Sequence, residues 1–289
     1  MTKKWIKRAA ILLGLLLVLH VVGSFIYPGV AKLKSQNPSM TALMEYRQDE
    51  LRKQGKSIKI RQYWVPLSRI SPYAVKAVII AEDDKFWSHE GFDFVAMQKA
   101  LEKDLKKRKL KAGGSTISQQ LAKNLYLSPS KDPIRKLREA IFTWRIERSL
   151  SKRRIIELYL NVVEWGEGIF GIEAAARRYF GKGAVSLTAQ EAARLAAVLP
   201  NPRRFNPTGS SHFVTGRTER IYQIMVRRGI VIPEYEELMA EPAKPVVMDV
   251  PVVINEPEPG ADQEEGGSAT VPDEPHVGEQ PNDEANADE

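Results

Sequence analysis

An uninterrupted apolar stretch near the N-terminus constrains this chain more than any other feature. Residues 9–27 are 19 residues without a charge, mostly leucine, valine and isoleucine. As a helix, this stretch would be about 29 Å long, which is enough to cross the hydrocarbon core of a bilayer. Four basic residues lie within residues 1–8, so this end is expected to stay in the cytoplasm and the rest to be exported. Cleaved signal peptides usually have shorter apolar regions, about 7–15 residues, so a permanent transmembrane helix is predicted.

Charge divides the chain into two unequal parts. Residues 241–289 contain 14 acidic residues and one basic residue, net −13, whereas residues 1–240 contain 42 basic and 22 acidic residues, net +20. A body this basic indicates an anionic partner, and for an exported, membrane-tethered chain anionic lipid is favoured over nucleic acid. The acidic segment has too few apolar residues to offset its ordering entropy, so it is predicted to be a disordered tail.

Between these ends, the composition predicts a linker and one domain. Proline, glycine, serine and asparagine are frequent in residues 28–41, which is typical of a linker. Residues 42–240 are numerous enough to enclose one hydrophobic core. Only residues 58–65 have strand-like content, so the domain is predicted to be mainly α. Apolar periodicity and capping residues predict helices over 73–84, 93–108, 116–126, 132–150, 151–161, 170–179, 188–199 and 215–228.

Three acidic residues, Glu82, Asp83 and Asp84, end the first helix of this domain. The helix dipole disfavours negative charge there and the carboxylates repel one another, so their pKa values should rise towards that of a general base. A solvated acidic helix end is the simpler alternative, and these residues alone do not exclude it. The aromatic turn that follows contains His89, which is expected to be a structural hydrogen-bonding residue.

A Gly-Gly-Ser-Thr sequence at residues 113–116 opens another helix. Free N–H groups at a helix start can bind an anion, although flexible loops often end in the same way. The Gly-Lys-Ser/Thr of a P-loop is absent. Lys123, on the helix that follows, is either an anion contact or a surface lysine.

Two basic segments flank this motif. Residues 103–111 contain six basic residues and one acidic residue, and they form either a solvated helix face or a patch on anionic lipid headgroups. Arg135, Lys136 and Glu139 begin a later helix. Their spacing fits surface ion pairs, and it equally fits a second carboxylate held by bases beside an anionic leaving group. The chain has no cysteine and four histidines, which excludes thiolate chemistry and disfavours a multi-histidine metal site.

A resemblance to a known family rests on five motifs in order: EDDKFWSHEG at 82–91, GGSTISQQLAKN at 113–124, RKLREAIFTWRIE at 135–147, KRRIIELYLNVVEWG at 152–166 and RRYFGKGAVSLTAQEAARLAAVLPNPRRFNP at 177–207. Together they resemble the glycosyltransferase domain of penicillin-binding proteins. The similarity is greatest to its stand-alone form, the monofunctional biosynthetic peptidoglycan glycosyltransferase. The resemblance covers about residues 55–230.

The resemblance implies a lysozyme-like helical fold and the polymerisation of lipid II into β-1,4 glycan strands. In that family the 4-hydroxyl of one disaccharide joins C1 of the growing chain, the anomeric centre inverts and undecaprenyl pyrophosphate leaves. Glu82 matches the general base, and Glu139 matches the second catalytic glutamate, near the donor pyrophosphate. The implied substrate-binding residues are Ser115, Thr116, Gln119, Gln120, Lys123, Lys131, Arg135 and Lys136.

The resemblance also sets expectations for cofactors and partners. It implies no covalent cofactor and no dedicated metal cage, with Mg²⁺ or Mn²⁺ bridging the pyrophosphate. The expected partners are lipid II, the growing glycan strand, membrane lipids and other cell-wall synthesis proteins, and no nucleic acid. The chain is expected in the cytoplasmic (inner) membrane as a single-pass protein, with its catalytic domain on the periplasmic or extracellular side.

Two other functions are weighed against this one: a lysozyme-like enzyme that cleaves glycan, and an inactive scaffold for cell-wall synthesis. The sequence departs from the family pattern at Ser118, where threonine is usual, and at Lys131, where arginine is common and would bind phosphate in a bidentate manner. Ser128 and Ser149 each begin a Ser-x-x-Lys sequence. Ser-Asp-Asn and Lys-Thr-Gly are absent, so a penicillin-sensitive transpeptidase is not expected.

Overall fold

Residues 9–23 of the apolar stretch lie in the first helix of the computed structural model, and residues 24–27 follow that helix. The structure describes residues 2–56, 60–107, 114–129 and 134–232. Helix α1 is Thr2–Gly23. Its Lys4–Gly23 part has a mean hydropathy of 2.0 and none of it is buried against the rest of the protein. By length and composition this helix fits a membrane anchor.

The segment that follows α1 packs onto the domain. A 3-10 helix, Val30–Lys34, buries Val30 and Leu33 and lies against helix α6, which is Arg135–Ser149. Helix α2, Ala42–Lys53, begins after Thr41, whose Oγ1 accepts a hydrogen bond of 3.2 Å from the backbone N–H of Met44. The sequence analysis does not predict α2, because most of its residues are polar and only Met44 and Leu51 are fully buried.

Eight further helices build the domain, and the eight predicted helices are confirmed over the residues that the structure describes. They are α3 (Pro72–Glu82), α4 (Phe94–Lys107), α5 (Ile117–Tyr126), α6 (Arg135–Ser149), α7 (Lys152–Val162), α8 (Ile172–Phe180), α9 (Ala189–Val198) and α10 (His212–Arg227). Short 3-10 helices occur at Leu67–Arg69 and Ala184–Ser186. Helix α10 begins earlier than predicted because Ser211 caps it, accepting a hydrogen bond from the N–H of Val214.

A small sheet has the order β1-β3-β2. Strand β1 (Arg61–Gln62) is parallel to β3 (Ile169–Phe170), and β2 (Glu164–Gly166) pairs with β3 in an antiparallel hairpin. The predicted strand over residues 58–65 is therefore much shorter, and residues 57–59 lie outside the described part. Beyond β1, the side chain of Asn161 forms hydrogen bonds with both the backbone N–H and the C=O of Val65, which a neighbouring strand would otherwise do.

Two groups of helices surround the core. Helices α3, α9 and α10 pack together, and α5 packs against α2, α6 and α7. Helix α9 buries mainly alanine, which lets it lie close to the equally small Ala74 and Ala77 of α3. Helix α7 buries seven of its eleven residues, and Tyr159 is among those that are fully buried. This packing brings the C-terminal end of α3 next to α5, α7 and α10.

Candidate active site

Glu82 is the last residue of α3, and its carboxylate is held by two donors. Nε2 of Gln120 on α5 donates to Oε2 at 2.9 Å, and Nη2 of Arg217 on α10 donates to Oε1 at 3.1 Å. The side chain is only 12% exposed. Burial raises the pKa of Glu82 above its ordinary value, whereas the Gln120 hydrogen bond and the charges of Arg217 and Lys123 oppose that rise. Glu82 is thus a shielded carboxyl group with a raised pKa.

The amide of Gln120 is oriented from its other side. The phenolic O–H of Tyr159 donates to Oε1 of Gln120 at 3.0 Å, which leaves Nε2 to face Glu82. Burial raises the pKa of Tyr159 well above its ordinary value, so the phenol keeps its proton and remains a donor. Helices α3, α5 and α7 are therefore joined through one chain of hydrogen bonds that ends on Glu82.

The three acidic residues at the end of α3 have three different environments. Asp83 is buried, and its Oδ2 accepts a 2.9 Å hydrogen bond from the N–H of Ile117, the first residue of α5. Asp84 is half exposed and forms a bidentate ion pair with Arg228. The alternative of a solvated acidic helix end therefore describes Asp84, whereas Glu82 and Asp83 have specific partners inside the protein.

His89 is a structural hydrogen-bonding residue, as the sequence predicts. Its Nε2 lies 2.9 Å from Oδ1 of Asp83, and its Nδ1 accepts a 3.1 Å hydrogen bond from the N–H of Gly91. Since Nδ1 is an acceptor, Nε2 carries the proton and donates to the carboxylate. Asp83 and His89 together fix the turn after α3 against the start of α5.

Three N–H groups at the start of α5 have partners within the protein. Ile117 donates to Asp83, Gln119 donates to Oγ1 of Thr116 at 3.2 Å, and Thr116 donates to Oε1 of Gln119 at 3.0 Å. The hydroxyl of Thr116 donates to the carbonyl of Gly91 at 2.6 Å. Thr116 and Gln119 thus form a buried capping box, and their N–H groups do not face an external anion. Ser115 is half-buried before this box, and position 113 lies outside the described residues.

Lys123, on α5, is the central cation of the site. It is partly buried, and no hydrogen bond or ion pair to its ammonium occurs among the residues that the structure describes. Burial lowers the pKa of Lys123, and the nearby Arg135 and Lys136 lower it further, while Glu139 and Glu82 oppose this effect. Lys123 therefore interacts electrostatically with both predicted catalytic glutamates, and within the described ranges no side chain pairs directly with its ammonium.

Glu139 lies on α6 and is almost completely buried. Lys136, one turn earlier, forms an ion pair with Oε1 of Glu139. Nε of Arg135 is buried and has no hydrogen-bond partner within the described ranges. The start of α6 thus places two cations beside Lys123. Lys131 lies outside the described residues, as do the side chains of residues 103–111 and the whole acidic tail over 241–289.

Two residues of this site are missed by the sequence analysis. Arg217 falls in a predicted helix that contains several arginines, and nothing in its local pattern separates it from the others. Tyr159 lies in the predicted helix over 151–161, where an apolar face predicts burial, and it is fully buried. Its hydroxyl nevertheless contacts Gln120 through packing between α5 and α7, which no local pattern reveals.

The described residues offer no dedicated site for a metal ion. They contain no group of three or more histidine, cysteine, aspartate or glutamate side chains that could hold one. The two central carboxylates are instead engaged by Gln120, Arg217 and Lys136. A resident metal held by the protein does not fit this donor set.

Comparisons with known proteins place this site in a family. Residues 49–226 match the model of the family described as Transglycosylase. Similar proteins include three described as biosynthetic peptidoglycan transglycosylases, from Nitrosospira multiformis, Aromatoleum aromaticum and Azoarcus sp.. The first is 46% identical over 79% of this chain and 98% of its own length. The second is 56% identical over 64% of this chain and 83% of its own length. The third is 51% identical over 70% of this chain and 87% of its own length.

The chain belongs to the transglycosylase family, because the family match spans more than half of it. The mainly helical, lysozyme-like fold expected from the resemblance is confirmed. Its activity is that of a peptidoglycan glycosyltransferase, an enzyme of cell-wall synthesis. The alternatives of a glycan-cleaving enzyme and an inactive scaffold are not favoured.

Proposed function

We propose that this enzyme polymerises lipid II into β-1,4 glycan strands and that Glu82 is its general base. The observation that carries the proposal is the environment of Glu82, a shielded carboxyl group held by Gln120 and Arg217, with the positive charge of Lys123 nearby. A raised pKa makes the carboxylate a stronger base, and the two donors keep it ionised and oriented.

The proposed reaction is one displacement. Glu82 takes the proton of the acceptor 4-hydroxyl while the oxygen of that hydroxyl forms a bond to C1 of the donor. The bond between C1 and the pyrophosphate oxygen breaks, its electron pair leaves with undecaprenyl pyrophosphate, and the anomeric centre inverts. One base and one stabilised leaving group are sufficient for this step, in contrast to the paired carboxylates of a glycosidase.

The cations of α5 and α6 stabilise the leaving group in this proposal. In the part of the chain that the structure describes, the ammonium of Lys123 and Nε of Arg135 have no hydrogen-bond partner, so we assign them as donors to pyrophosphate oxygens. Lys136 adds positive charge at the same end. Lys131, which lies outside the described residues, remains a proposed substrate-binding residue. Charge that is already in place where negative charge develops lowers the barrier most. Glu139 orients Lys136, because the two form an ion pair on adjacent turns of α6.

The remaining candidates shape the cleft. Thr116 and Gln119 act through the buried capping box that starts α5, and Ser115 and Gln120 present polar groups beside it. A Mg²⁺ or Mn²⁺ ion remains part of the proposal only as a partner of the pyrophosphate. The described residues do not form a cage for it, and no step is assigned to it.

We further propose that the enzyme is a single-pass protein of the cytoplasmic membrane. Basic residues precede the apolar part of α1, which favours a cytoplasmic N-terminus and places the catalytic domain on the periplasmic or extracellular side. Lipid II is a membrane lipid, so an anchored domain meets its substrate at the surface of the bilayer. Anionic lipid headgroups and other cell-wall synthesis proteins are the further partners proposed, and nucleic acid is not among them.

The test is polymerisation of labelled lipid II in detergent by the wild type, E82Q and E219Q. Glu219 is an exposed glutamate on α10 and serves as the matched control. We expect polymer and undecaprenyl pyrophosphate from the wild type and E219Q, and a loss of about 10²–10⁴-fold in E82Q. Equal rates for E82Q and the wild type would remove Glu82 from this role. Shortened strands from a preformed glycan, with no polymer from lipid II, would instead support a cleaving enzyme.

A further inference from the structure

The chain between the membrane helix and the domain is fastened to the domain by arginine side chains. We call residues 24–37 the tether. Its composition is typical of a flexible linker, yet Ser24, Val30 and Leu33 are buried. Several of its backbone carbonyls accept hydrogen bonds from Arg145 on α6 and Arg154 on α7. The tether is therefore fixed along its length and does not act as a loose connection.

Arg145 holds the first part of the tether, where the chain leaves α1. Nη1 donates to the carbonyl of Ser24 at 2.8 Å, and Nη2 donates to the carbonyls of Ile26 at 2.9 Å and Pro28 at 2.7 Å. Carbonyl groups beyond a helix end lack intrahelical partners, and a cation there is favourable. One planar guanidinium that binds three carbonyls fixes the direction in which the chain leaves the membrane helix.

Further contacts join the same part of the tether to α6. Nε of Arg138 donates to Oγ of Ser24 at 3.1 Å. The rings of Phe25 and Trp144 meet edge to face, with centroids 6.3 Å apart. Two independent contacts therefore support the hold that Arg145 provides.

Arg154 holds the second part of the tether. Its Nε donates to the carbonyl of Leu33 at 2.8 Å, and its Nη2 donates to the carbonyl of Gln36 at 3.0 Å and to Oδ1 of Asn37 at 2.7 Å. The guanidinium also lies over the ring of Trp64, 5.4 Å from its centroid, and pairs with Glu157. These contacts keep Arg154 in place, so the tether is fixed at two separate points.

The helix that holds the tether also carries part of the proposed donor site. Glu139 and Arg145 are both on α6, about 9 Å apart along the helix axis. Any movement of the tether relative to α6 would thus change the distance between the membrane and the proposed pyrophosphate site. A lipid-linked substrate presents its pyrophosphate at a fixed depth, so this distance affects how the substrate is aligned.

We propose that Arg145 and Arg154 are positioning residues that set the height of the reaction centre above the bilayer. The functional part of this inference rests on the proposed function, the use of a lipid-linked donor. The two arginines do not touch the reacting atoms. They act through the tether, by making the membrane helix and the catalytic domain one rigid unit.

The rigidity is tested by a distance measurement that needs no substrate. The chain has no cysteine, so V18C and K76C allow a pair of spin labels on exposed positions of α1 and α3. We would measure the full chain in vesicles of phosphatidylethanolamine and phosphatidylglycerol, with and without R145Q/R154Q. A matched control is R220Q, an exposed arginine on α10. We expect a narrow distance distribution that broadens only in the double variant, and an unchanged distribution would overturn the proposal.

The functional part is tested with two substrates. One is full-length lipid II in those vesicles, and the other is a short-chain, water-soluble lipid II analogue. We expect R145Q/R154Q to lose at least about tenfold in kcat/KM on the membrane substrate and to retain wild-type kcat/KM on the soluble one. Equal losses on both substrates, or none on either, would overturn it. Inactivity of the wild type on both substrates would contradict the proposed function. The spin-label distances would then still test whether the tether is rigid, because that measurement needs no substrate.

A second pair of variants provides an independent test if the double variant R145Q/R154Q fails to fold. R145K and R154K keep the charge, but a lysine ammonium cannot reproduce the planar set of donors. Each is expected to show the same preference for the soluble substrate, with a smaller loss than the double variant. The proposal would be contradicted if both lysine variants kept the wild-type ratio of kcat/KM on the membrane substrate to kcat/KM on the soluble analogue.

Discussion

Nε2 of Gln120 donates a 2.9 Å hydrogen bond to Oε2 of Glu82, and this contact joins α5 to the end of α3. The hydrogen bond stabilises the charged form of the carboxyl, against the burial that destabilises it. Because the proposed base must be ionised to accept a proton, the rate should fall as the pH falls through the raised pKa of Glu82. The acid limb of the pH–rate profile therefore reports the pKa of Glu82, to which this contact contributes.

Replacing Gln120 by methionine should move this acid limb to higher pH. Q120M removes a donor to the charged form, so the pKa of Glu82 rises further and a larger fraction of the enzyme is protonated at a given acidic pH. The measurement is kcat/KM for lipid II as a function of pH. Q223M, a change of an exposed glutamine on α10, is the control and should keep the wild-type limb. An acid limb that does not move in Q120M would show that Glu82 does not control it.

Tyr159→Phe should move the acid limb in the same direction, by a smaller amount. The variant leaves Oε1 of Gln120 without its 3.0 Å donor, so the amide is free to turn its oxygen towards Glu82. Since Tyr159 acts only through Gln120, its effect should vanish in a Q120M background. The check is a double-mutant cycle on the pKa of the acid limb. Additive shifts in Q120M/Y159F would show that Tyr159 acts by another route.

Lys123→Met should separate activity from stability. Burial disfavours the charged ammonium of Lys123, so the folded protein below its lowered pKa carries a cost that methionine does not. We expect K123M to unfold at the same temperature as the wild type or a higher one, and to lose about 10²–10³-fold in kcat. Thermal unfolding and lipid II polymerisation are measured together. The control is K76M on α3, where the lysine is exposed. A K123M enzyme with normal kcat would exclude Lys123 from leaving-group stabilisation.

Local patterns determine much of this fold. Thr188 and Glu191 form the predicted capping box of α9, and apolar periodicity locates the domain helices. Ser71 shows where such patterns are insufficient. It occupies the N-cap position of α3, yet its hydroxyl does not cap the helix and instead donates to the carbonyl of Leu187 at 2.8 Å. The acceptor belongs to a segment that is distant in the chain, so no pattern near Ser71 could indicate this hydrogen bond.

The residues of the candidate site also fall into those that local motifs identify and those that reach the site through packing between distant helices. Motif position correctly brings Glu82, Gln120 and Lys123 to one region, because they lie on α3 and α5, which end and begin around the same turn. Arg217 is far along the chain and reaches Glu82 only because α10 packs against α3. Residues that act through packing between distant helices are therefore the ones that sequence analysis misses.

Gly91→Ala tests the turn between α3 and α4, which packs against the start of α5. Gly91 has a φ of +91°, and an added Cβ would lie 2.9 Å from both Cγ of Glu147 and Cγ2 of Thr143. Gly55 is a matched control, since its φ is +71° but nothing lies within 4 Å of an added Cβ. The conformational penalty alone should cost G55A about 1 kcal/mol of unfolding free energy, and overpacking should raise the loss in G91A to about 3 kcal/mol.

The comparison is made by equilibrium unfolding of both variants in detergent. The larger loss in G91A should be accompanied by reduced polymerisation, because the Gly91 carbonyl accepts the hydroxyl of Thr116, which starts the helix carrying Gln120 and Lys123. G55A should keep wild-type activity, since α2 and the turn after it contribute no residue to the proposed reaction. Equal losses of stability in the two variants would mean that the turn moves to accept a side chain, and that Glu147 and Thr143 do not confine it.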